Sequence, residues 1–414
     1  MWLLRSGIVL FTYTGINIYT GIRLFGLVKY FLPSFRSYIF WPLYILFCYS
    51  VVWVMLLRFD RIQFLRQLSM YSLPAVVYFF MALLALDLVR LVIKLAGRFP
   101  PSPVFSAVTA GIALAFAVIT MVYGTFHARD IRTTKYRINL NKSYSGLSDQ
   151  KALLRIALVS DFHIGATVGR DWIAKIVDEI NKTQPDIICI AGDIFDNNLD
   201  SLKDSERIIA ELLRLRAPLG VYACQGNHDV DRLSLRGGAS TDRIYDFLQK
   251  ANIVLLLDDV EFVAGRFYLI GRRDARPIGL RQERKSAGEL VAGEPAARGA
   301  AAGGYTASGP RDAHTAAIDL SKPLIFLDHQ PVDFPGLEEA GADLILSGHT
   351  HNGQFFPGNI ATASIFKKSG AAGYGYWRGK TAQGIVTSGA GVWGPPIRIG
   401  TISEVAVVEV LFGD

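Results

Sequence analysis

Four long stretches near the start of the chain are apolar on every side and lack the periodic polar face of a surface helix. They are residues 7–28, 38–57, 73–95 and 104–126. Each approaches the ~20 residues that a helix needs to cross a bilayer, although Arg23 interrupts the first. The pattern predicts a transmembrane region of about four helices in residues 1–128, of which a cleaved signal peptide explains only one.

The pattern of hydrophobic positions changes after residue 128. Residues 129–152 are polar and are predicted to form a linker, and short apolar runs then alternate with amphipathic segments. The predicted helices are 171–181 and 201–216. The predicted strands are 154–160, 186–191, 221–225, 266–270, 323–327, 342–346, 384–387 and 404–411. This alternation favours an α/β layered domain over residues 153–414 with a mainly parallel sheet.

Residues 286–317 interrupt that domain. Eleven of these 32 residues are Ala and six are Gly, and the segment also contains Pro295 and Pro310. Small side chains of this kind bury too little apolar surface to form a core. The segment is therefore predicted to be a mobile surface insertion.

Composition and charge support a membrane protein. The chain has 414 residues, a mean hydropathy of +0.29 and 19% charged residues, against about 25% in soluble domains. Of the net charge of +7, residues 1–128 carry +8 and the remainder carries −1. The basic end is thus the apolar end, and the rest lacks the basic stripe with interleaved aromatics that would predict a nucleic-acid partner.

The predicted loops carry eight Lys and Arg residues on one side of the membrane and five on the other. This small bias predicts an integral protein of the cell membrane with the N-terminus and everything after residue 128 in the cytoplasm. If the first stretch does not span, the part after residue 128 lies on the opposite side from the N-terminus. In the third stretch, Asp87 and Arg90 lie three residues apart. They either mark a transport path or form a local ion pair near one interface, with Arg90 and Lys94 reaching the headgroups.

Five short polar blocks follow predicted strands and contain five of the seven histidines. The blocks are Ser160-Asp161-Phe162-His163, Ala191-Gly192-Asp193, Gly226-Asn227-His228-Asp229, Leu327-Asp328-His329-Gln330-Pro331 and Ser347-Gly348-His349-Thr350-His351. The carboxyl ends of the strands form the ligand crevice of an open α/β sheet, so the blocks are expected to converge. Their carboxylate oxygens and imidazole nitrogens suit Zn, Mn or Fe.

The remaining histidines and the cysteines lack such a pattern. His127 and His314 have no partner residues at a useful spacing and are predicted to be non-functional. The three cysteines, which are Cys48, Cys189 and Cys224, lack metal-ligand spacing and are predicted to be buried thiols.

In this order the five blocks resemble the motif of the calcineurin-like metallophosphoesterase superfamily, and the resemblance covers about residues 153–411. The run 393–401, Trp-Gly-Pro-Pro-Ile-Arg-Ile-Gly-Thr, is similar to the YkuE-like branch, and the apolar stretches are similar to its membrane-bound members. The resemblance implies a central β-sandwich flanked by helices. It also implies a metal-dependent phosphoric ester hydrolase.

The resemblance further implies a binuclear centre of two divalent metal ions, with the choice among Mn, Zn and Fe left open. The implied ligands are Asp161, His163 and His351 for the first ion, Asn227, His329 and His349 for the second, and Asp193 as a bridge between them. Two ions ~3.5–4 Å apart clamp a phosphate and activate a hydroxide for in-line attack.

Other residues of the blocks receive supporting roles by the same analogy. His228 stabilises developing charge or protonates the leaving oxygen. Asp229 either orients His228 or caps a turn, and Asp328 either supports a ligand histidine or ends a strand. Arg398 either binds a substrate phosphate or forms a structural salt bridge.

The leading hypothesis is a membrane-anchored phosphoesterase that hydrolyses a phosphomonoester, phosphodiester or pyrophosphate bond in a lipid-like or cell-envelope substrate. The anchor alone supports this type of substrate. One alternative is a non-catalytic scaffold on the same fold, which should have lost ligands. Another is a transporter or receptor with an accessory phosphoesterase domain, for which Asp87 is the only acid within the four stretches.

Overall fold

In the computed structural model the chain divides into two compact units. The first comprises residues 1–126 and 394–397, and the second comprises residues 127–393 and 398–414. The structure describes residues 2–56, 63–97, 102–142, 152–196, 199, 202, 204–235, 238–277, 280–292, 305–306, 309–310 and 318–413.

The first unit is helical. Its helices are α1 (Trp2–Phe31), α2 (Ser37–Cys48), α3 (Ser50–Leu56), α4 (Gln63–Met70), α5 (Ser72–Leu95) and α6 (Pro103–His127). Among the described residues, two helical segments, Leu65–Leu95 and Pro103–His127, are long and apolar enough to cross a membrane.

The other two predicted spans do not reach that standard. The stretch 7–28 lies within the 30-residue α1, but Asn17, Thr20 and Arg23 make its sequence more polar. The stretch 38–57 is divided at Tyr49, which leaves α2 with only 12 residues. Two of the four predicted spans are therefore supported, and the four-helix arrangement is not.

A polar network connects the helices of the first unit. The Arg23 guanidinium lies 2.6 Å from the carboxylate of Asp87 and donates to the Thr109 hydroxyl at 2.9 Å. The Tyr19 hydroxyl donates to the same carboxylate at 2.6 Å. The main partner of Asp87 is thus Arg23 on α1, while Arg90 stacks on the Phe105 ring at 5.5 Å. The predicted pairing within the third stretch is corrected accordingly.

The second unit contains sixteen strands among the described residues. They are β1 (Ile131–Leu140), β2 (Ala152–Val159), β3 (Ile187–Ala191), β4 (Val221–Cys224), β5 (Asp231–Leu235), β6 (Gly238–Ser240), β7 (Val254–Leu256), β8 (Asp259–Val263), β9 (Phe267–Gly271), β10 (Tyr305–Thr306), β11 (Gly309–Pro310), β12 (Leu324–Leu327), β13 (Leu344–Ser347), β14 (Gly375–Arg378), β15 (Gln383–Val386) and β16 (Ser403–Phe412).

Six further helices lie in the second unit. They are α7 (Arg170–Lys182), α8 (Ser205–Leu212), α9 (Asp242–Lys250), α10 (Ala287–Ala292), α11 (Phe334–Glu339) and α12 (Gly358–Lys368). The predicted helices at 171–181 and 201–216 correspond to α7 and α8. Apart from α10 and the β10–β11 pair, the described part of the chain omits the predicted insertion at 286–317, so its predicted mobility lies outside the described residues.

Most strands of the second unit form two mixed sheets. One has the order β1-β16-β2-β3-β4-β7, in which β2, β3, β4 and β7 are parallel and β16 is antiparallel to β2. The other has the order β14-β15-β13-β12-β9-β8, in which the four central strands are parallel and both edge pairs are antiparallel. The prediction of mainly parallel pairing therefore describes the centre of each sheet.

The two sheets pack against each other with helices on their outer faces. Ile156 and Cys189 of the first sheet share one buried core with Ile325 and Leu344 of the second. Helices α7, α8 and α9 cover the outer face of the first sheet, and α10 and α11 cover the second. Strands buried on both faces read as continuous apolar runs, which explains why their positions are visible in the sequence.

Residues 131–140, predicted as part of a linker, instead form β1. This strand pairs in parallel with β16 at the edge of the first sheet. Arg132, Lys135 and Arg137 make its exposed positions strongly polar, because an edge strand of this kind buries only part of its surface. The polarity that favoured a linker is therefore the polarity of an edge strand.

Candidate metal centre

The five polar blocks lie at the carboxyl ends of β2, β3, β4, β12 and β13. Backbone hydrogen bonds continue beyond the strands and hold the blocks together: the Asp161 amide donates to the Gly192 carbonyl and the His163 amide to the Asp193 carbonyl, both at 3.0 Å. In the second sheet, the Gly348 amide donates to the His329 carbonyl at 3.0 Å. Because the two sheets are packed face to face, side chains from both reach one site.

Several residues of this site have left-handed backbone conformations that are unusual for side chains with a Cβ atom. Their φ angles are +55° for Asp161, +48° for His163, +51° for Asp193, +72° for His349 and +49° for His351. Each such residue costs of order 1–3 kcal/mol, and clusters of them are typical of functional sites. The surrounding hydrogen bonds hold the turns that direct these side chains toward one another.

Glycine is required where two blocks approach closely. A Cβ atom at Gly226 would overlap the backbone nitrogen of Asp193, and one at Gly348 would overlap the hydroxyl of Ser160. Both positions lie beside proposed ligands, so even Ala would displace a carboxylate of the site. These two contacts explain why glycine occupies both positions.

The first group of possible ligands consists of Asp161, His163 and His351. The Asp161 Oδ1 atom lies 3.3 Å from His351 Nε2 and 3.8 Å from His163 Nε2, and the two imidazole nitrogens are 3.1 Å apart. Asp161 Oδ1 is buried and accepts no hydrogen bond from the described residues. A buried carboxylate oxygen facing two imidazole nitrogens fits a divalent cation.

The second group consists of Asp193, His329, His349 and Asn227. The His329 Nε2 atom lies 3.1 Å from Asp193 Oδ2 and 3.1 Å from Asn227 Oδ1. The Nδ1 atom of His329 donates to the Ala191 carbonyl at 2.7 Å, which directs Nε2 into the site. His349 lies near enough to Asp193 and His329 for the three to share one cation.

Asp193 belongs to both groups. Its Oδ2 atom is 3.1 Å from His329 Nε2 and 3.6 Å from His163 Nε2, while Oδ1 accepts from the His228 backbone amide at 2.7 Å. One oxygen of this carboxylate therefore faces the ligand nitrogens of both groups. The structure thus brings together all seven side chains that the sequence pattern proposed as ligands.

The electrostatics of the site match its chemistry. Burial lowers the pKa of His163 to about 4 and that of His349 to about 3, so both imidazoles are neutral at physiological pH, as cation binding requires. Burial raises the pKa of Asp161 to about 6, and the neighbouring Asp193 adds to this shift. Burial opposes a proton on His329, but the Asp193 carboxylate outweighs it and raises the pKa well above its usual value.

His228 lies beside the first group and has an acidic neighbour. Its ring centroid is 5.0 Å from that of His163, and its Nδ1 atom lies 3.9 Å from Asp196 Oδ1. Asp229, predicted either to orient His228 or to cap a turn, accepts hydrogen bonds from the backbone amides of Phe195 and Gly226 at 3.0 and 2.8 Å. The geometry therefore favours the capping role for Asp229 and places Asp196 beside His228.

Arg398 does not extend into the site as a phosphate-binding residue would. It is fully buried, and its guanidinium donates to the backbone carbonyls of His351, Ser388, Gly389 and Gly391. The structure therefore favours a structural role for Arg398. The partners of its guanidinium are backbone carbonyls, whereas the sequence suggested a salt bridge.

Asp328 directly follows the last residue of β12, in agreement with the strand-ending alternative, and it does not support a ligand histidine. Its Oδ2 atom accepts hydrogen bonds from Arg272 at 2.9 Å and from Arg284, while His329 uses the Ala191 carbonyl as its support. Asp328 thus joins β12 to the segment after β9 through buried ion pairs.

Sequence reasoning missed two further residues of the site. Asp196 lies three positions after Asp193, and the close spacing of a second acid was an available signal. Trp393 lies with its ring centroid 6.1 Å from that of His228 and keeps 53% of its surface exposed. Trp393 begins the run 393–401, and nothing in that run marked the Trp as a neighbour of His228.

Residues 154–353 match the family model of the calcineurin-like phosphoesterases. This segment, which is 200 of the 414 residues, is therefore similar to the calcineurin-like phosphoesterases.

Relatives of the chain carry the same designation. An uncharacterized metallophosphoesterase of Helicobacter pylori is 29% identical over 62% of this chain and 60% of its own length. A counterpart in Campylobacter jejuni is 26% identical over 99% of this chain and 98% of its own length. The match therefore spans less than two thirds of the Helicobacter protein and nearly all of the Campylobacter protein.

Two other relatives have more specific names. A transmembrane protein with metallophosphoesterase domain from Danio rerio is 27% identical over 71% of this chain and 61% of its own length. The UDP-2,3-diacylglucosamine pyrophosphatase LpxG of Chlamydia trachomatis is 32% identical over 28% of this chain and 34% of its own length.

Proposed function

We propose that the protein is a membrane-anchored phosphoesterase that uses two divalent cations. The observation that carries the proposal is the position of Asp193 Oδ2, which faces His163 of the first ligand group and His329 of the second. Asp161, His163 and His351 would hold one cation, and Asn227, His329 and His349 the other. Such a pair of cations polarises a phosphoryl oxygen and supplies a nucleophile from water at neutral pH.

The side chains around the cations divide the remaining tasks. His228 is 7% exposed and adjoins the first ligand group, so it can donate a proton to the oxygen that leaves phosphorus. The Asp196 carboxylate lies 3.9 Å from Nδ1 of His228 and would direct its ring. Asp229 fixes the turn that carries His228 by accepting two backbone amides.

The substrate we propose is a phosphomonoester, phosphodiester or pyrophosphate with a lipid-like or cell-envelope component. Two apolar helices of spanning length support a location at the membrane. The relative named as a diacylglucosamine pyrophosphatase acts, by its name, on a lipid-linked pyrophosphate, which supports the same type of substrate here. A phosphate group close to the bilayer would be accessible to a membrane-anchored centre.

We also propose that the second unit lies in the cytoplasm. The count of eight to five holds for the four spans predicted from the sequence, and with the two supported spans alone the loop 96–102 between them carries one basic residue, Arg98, which favours the same side for the second unit. Protease treatment of sealed inside-out vesicles should then digest the second unit. Protection from protease in these vesicles, with digestion in right-side-out vesicles, would reverse the orientation.

The central test is Asp193→Asn in the full chain purified in detergent. We expect the substitution to remove most bound metal and to lower hydrolysis of bis(p-nitrophenyl) phosphate by ~10³-fold or more, because electrostatic stabilisation at both cations is lost. Metal content by mass spectrometry and initial rates measure the two effects. Asp171→Asn, at a side chain that is 92% exposed, is the matched control. Normal turnover of Asp193→Asn would falsify the two-cation assignment.

A further inference from the structure

Helix α12 has an unusual environment for a helix of a folded domain. None of its eleven residues is buried, and Ile360 and Ile365 keep 60% and 62% of their surfaces exposed. A helix on the surface of a soluble domain normally buries an apolar stripe against the core. Exposed aliphatic residues grouped on one such element are typical of an interaction surface.

This helix lies at the edge of the metal centre. The ring of Phe366 on α12 is 6.3 Å from the ring of the proposed ligand His349. Close by, Gln354 accepts from the Trp393 amide at 2.8 Å and donates to its carbonyl at 2.9 Å, which fixes Trp393 beside His228. We call Ile360, Ile365, Lys367, Lys368 and Trp393 the rim surface.

The segment that carries the rim surface has charged side chains of a single sign. Residues 351–403 contain no Asp or Glu and five basic residues, of which only Arg398 is buried. The four exposed ones are Lys367, Lys368, Arg378 and Lys380. Glu338 and Glu404 approach from neighbouring elements, but they bind the backbone of Thr381 and Ala382 and the hydroxyls of Thr134, Tyr374 and Thr387.

We propose that the rim surface docks on the anionic surface of a lipid bilayer. Exposed Ile and Trp side chains combined with Lys, without acids, form the composition of surfaces that lie in the headgroup region. A second copy of the chain is a poorer occupant, because self-association would bring Lys367 and Lys368 of two copies together. The inference rests on the proposed function for the presence of the bilayer, and it places the mouth of the metal centre at the headgroups.

The test measures contact with lipid directly. All three native cysteines are buried, so Ile365→Cys in the full chain provides a selective site for a bimane fluorophore. The labelled protein is reconstituted into phosphatidylcholine vesicles containing phosphatidylserine and headgroup-level doxyl lipid. The matched control is Asp171→Cys on α7, which carries the same label at a fully polar, exposed position.

We expect doxyl lipid to quench the label at position 365 at least about threefold more than the label at position 171, because only the former enters the headgroup region. The double variant Lys367→Gln with Lys368→Gln removes two positive charges. At ~1 kcal/mol for each charge, docking on vesicles that contain phosphatidylserine should weaken about 30-fold. Equal quenching at the two positions would overturn the inference. A pyrene label at position 365 provides a second check: excimer formation between two such labels would identify a second copy of the chain as the occupant and would also overturn it.

The outcome is separable from that of the proposed function. Hydrolysis of bis(p-nitrophenyl) phosphate by the same reconstituted protein reports the metal centre alone. If the label at position 365 is strongly quenched but no added metal ion supports hydrolysis, the phosphoesterase assignment is contradicted and the docking surface remains in place. If the protein hydrolyses the substrate but both labels are quenched equally, the docking surface is contradicted and the phosphoesterase assignment remains in place.

Discussion

At the scale of single residues, the centre depends on a division between groups that would hold cations and one that would transfer a proton. Six of the seven proposed ligands lie 3.1–3.8 Å from another of the set, and His349 lies near Asp193 and His329. His228 stands beside them, with Asp196 near its ring. Because the proposed ligands and the proton donor are separate side chains, metal binding and proton transfer should respond to different substitutions.

His228→Ala tests that separation. We expect the variant to keep its metal and to lose ~10²–10⁴-fold in turnover of substrates with poor leaving groups, because those need a proton. The loss should be smaller for p-nitrophenol, which leaves readily as an anion. Metal content and a comparison of the two substrates provide the measurement. Parallel loss of metal and activity would make His228 a ligand instead.

Arg398 shows what a residue-level prediction from sequence lacks. Its guanidinium donates to four backbone carbonyls, including that of the proposed ligand His351. We expect Arg398→Ala to lower the free energy of unfolding by about 3 kcal/mol or more, because four buried acceptors lose a charged partner. Arg378→Ala, at an exposed arginine, should change it by less than ~0.5 kcal/mol. Thermal unfolding of both variants checks this, and a stable Arg398→Ala with reduced substrate affinity would restore the phosphate-binding role.

The candidate ligands were predictable because each combines a ligand type with a position at the end of an apolar strand. The roles of Asp229 and Arg398 were not, since their partners are backbone amides and carbonyls, which every sequence contains. The spacing of Asp196 from Asp193 marked it as a candidate, but its place beside His228 depends on the ends of β3 and β4 being adjacent in space.

At the scale of elements, strands with two buried faces were the most predictable. Ile187–Ala191 and Leu344–Ser347 are buried at every position and read as short apolar runs. In contrast, β1 alternates charged and apolar residues at a sheet edge, and α12 buries no residue at all. The pattern of polarity reports burial, so elements with an exposed surface leave a weaker signal in the sequence.

The pair formed by Arg23 and Asp87 gives a prediction at this scale, because it joins α1 to α5. Asp87→Asn should leave hydrolysis of bis(p-nitrophenyl) phosphate within about twofold and lower the thermal stability of the first unit, because Arg23 loses its charged partner. The double variant Arg23→Leu with Asp87→Leu should recover stability. Hydrolysis and thermal unfolding in detergent measure both, and a complete loss of cellular function with normal hydrolysis would support a transport path.

At the scale of the whole molecule, bound cations should stabilise the second unit as well as activate it. The site gathers the buried carboxylates of Asp161 and Asp193. Among the ligand imidazoles, His329 alone has a raised pKa and can contribute a balancing charge without cations, because the pKa values of His163, His349 and His351 are lowered. A ligand present at 100 times its dissociation constant adds about 2.7 kcal/mol of stability to the state that binds it. Metal binding and folding of the two sheets are therefore linked.

Chelation measures this linkage. Treatment with EDTA should abolish hydrolysis and lower the unfolding temperature of the second unit by several degrees, and added Mn²⁺ or Zn²⁺ should restore both. In His351→Ala, which lacks a proposed ligand, the shift on chelation should be smaller. An unfolding temperature unchanged by chelation in the wild-type protein would show that metal does not contribute to folding.

The position of β16 has a consequence for how the protein is made. Ser403–Phe412 lies between β1 and β2, so the last strand of the described chain enters the interior of the first sheet. During synthesis β1 leaves the ribosome more than 250 residues before its partner, and its edge stays unpaired over that interval. The first sheet is therefore completed only after residue 412 has left the ribosome, which makes the second unit a late folder that depends on protection of its early strands.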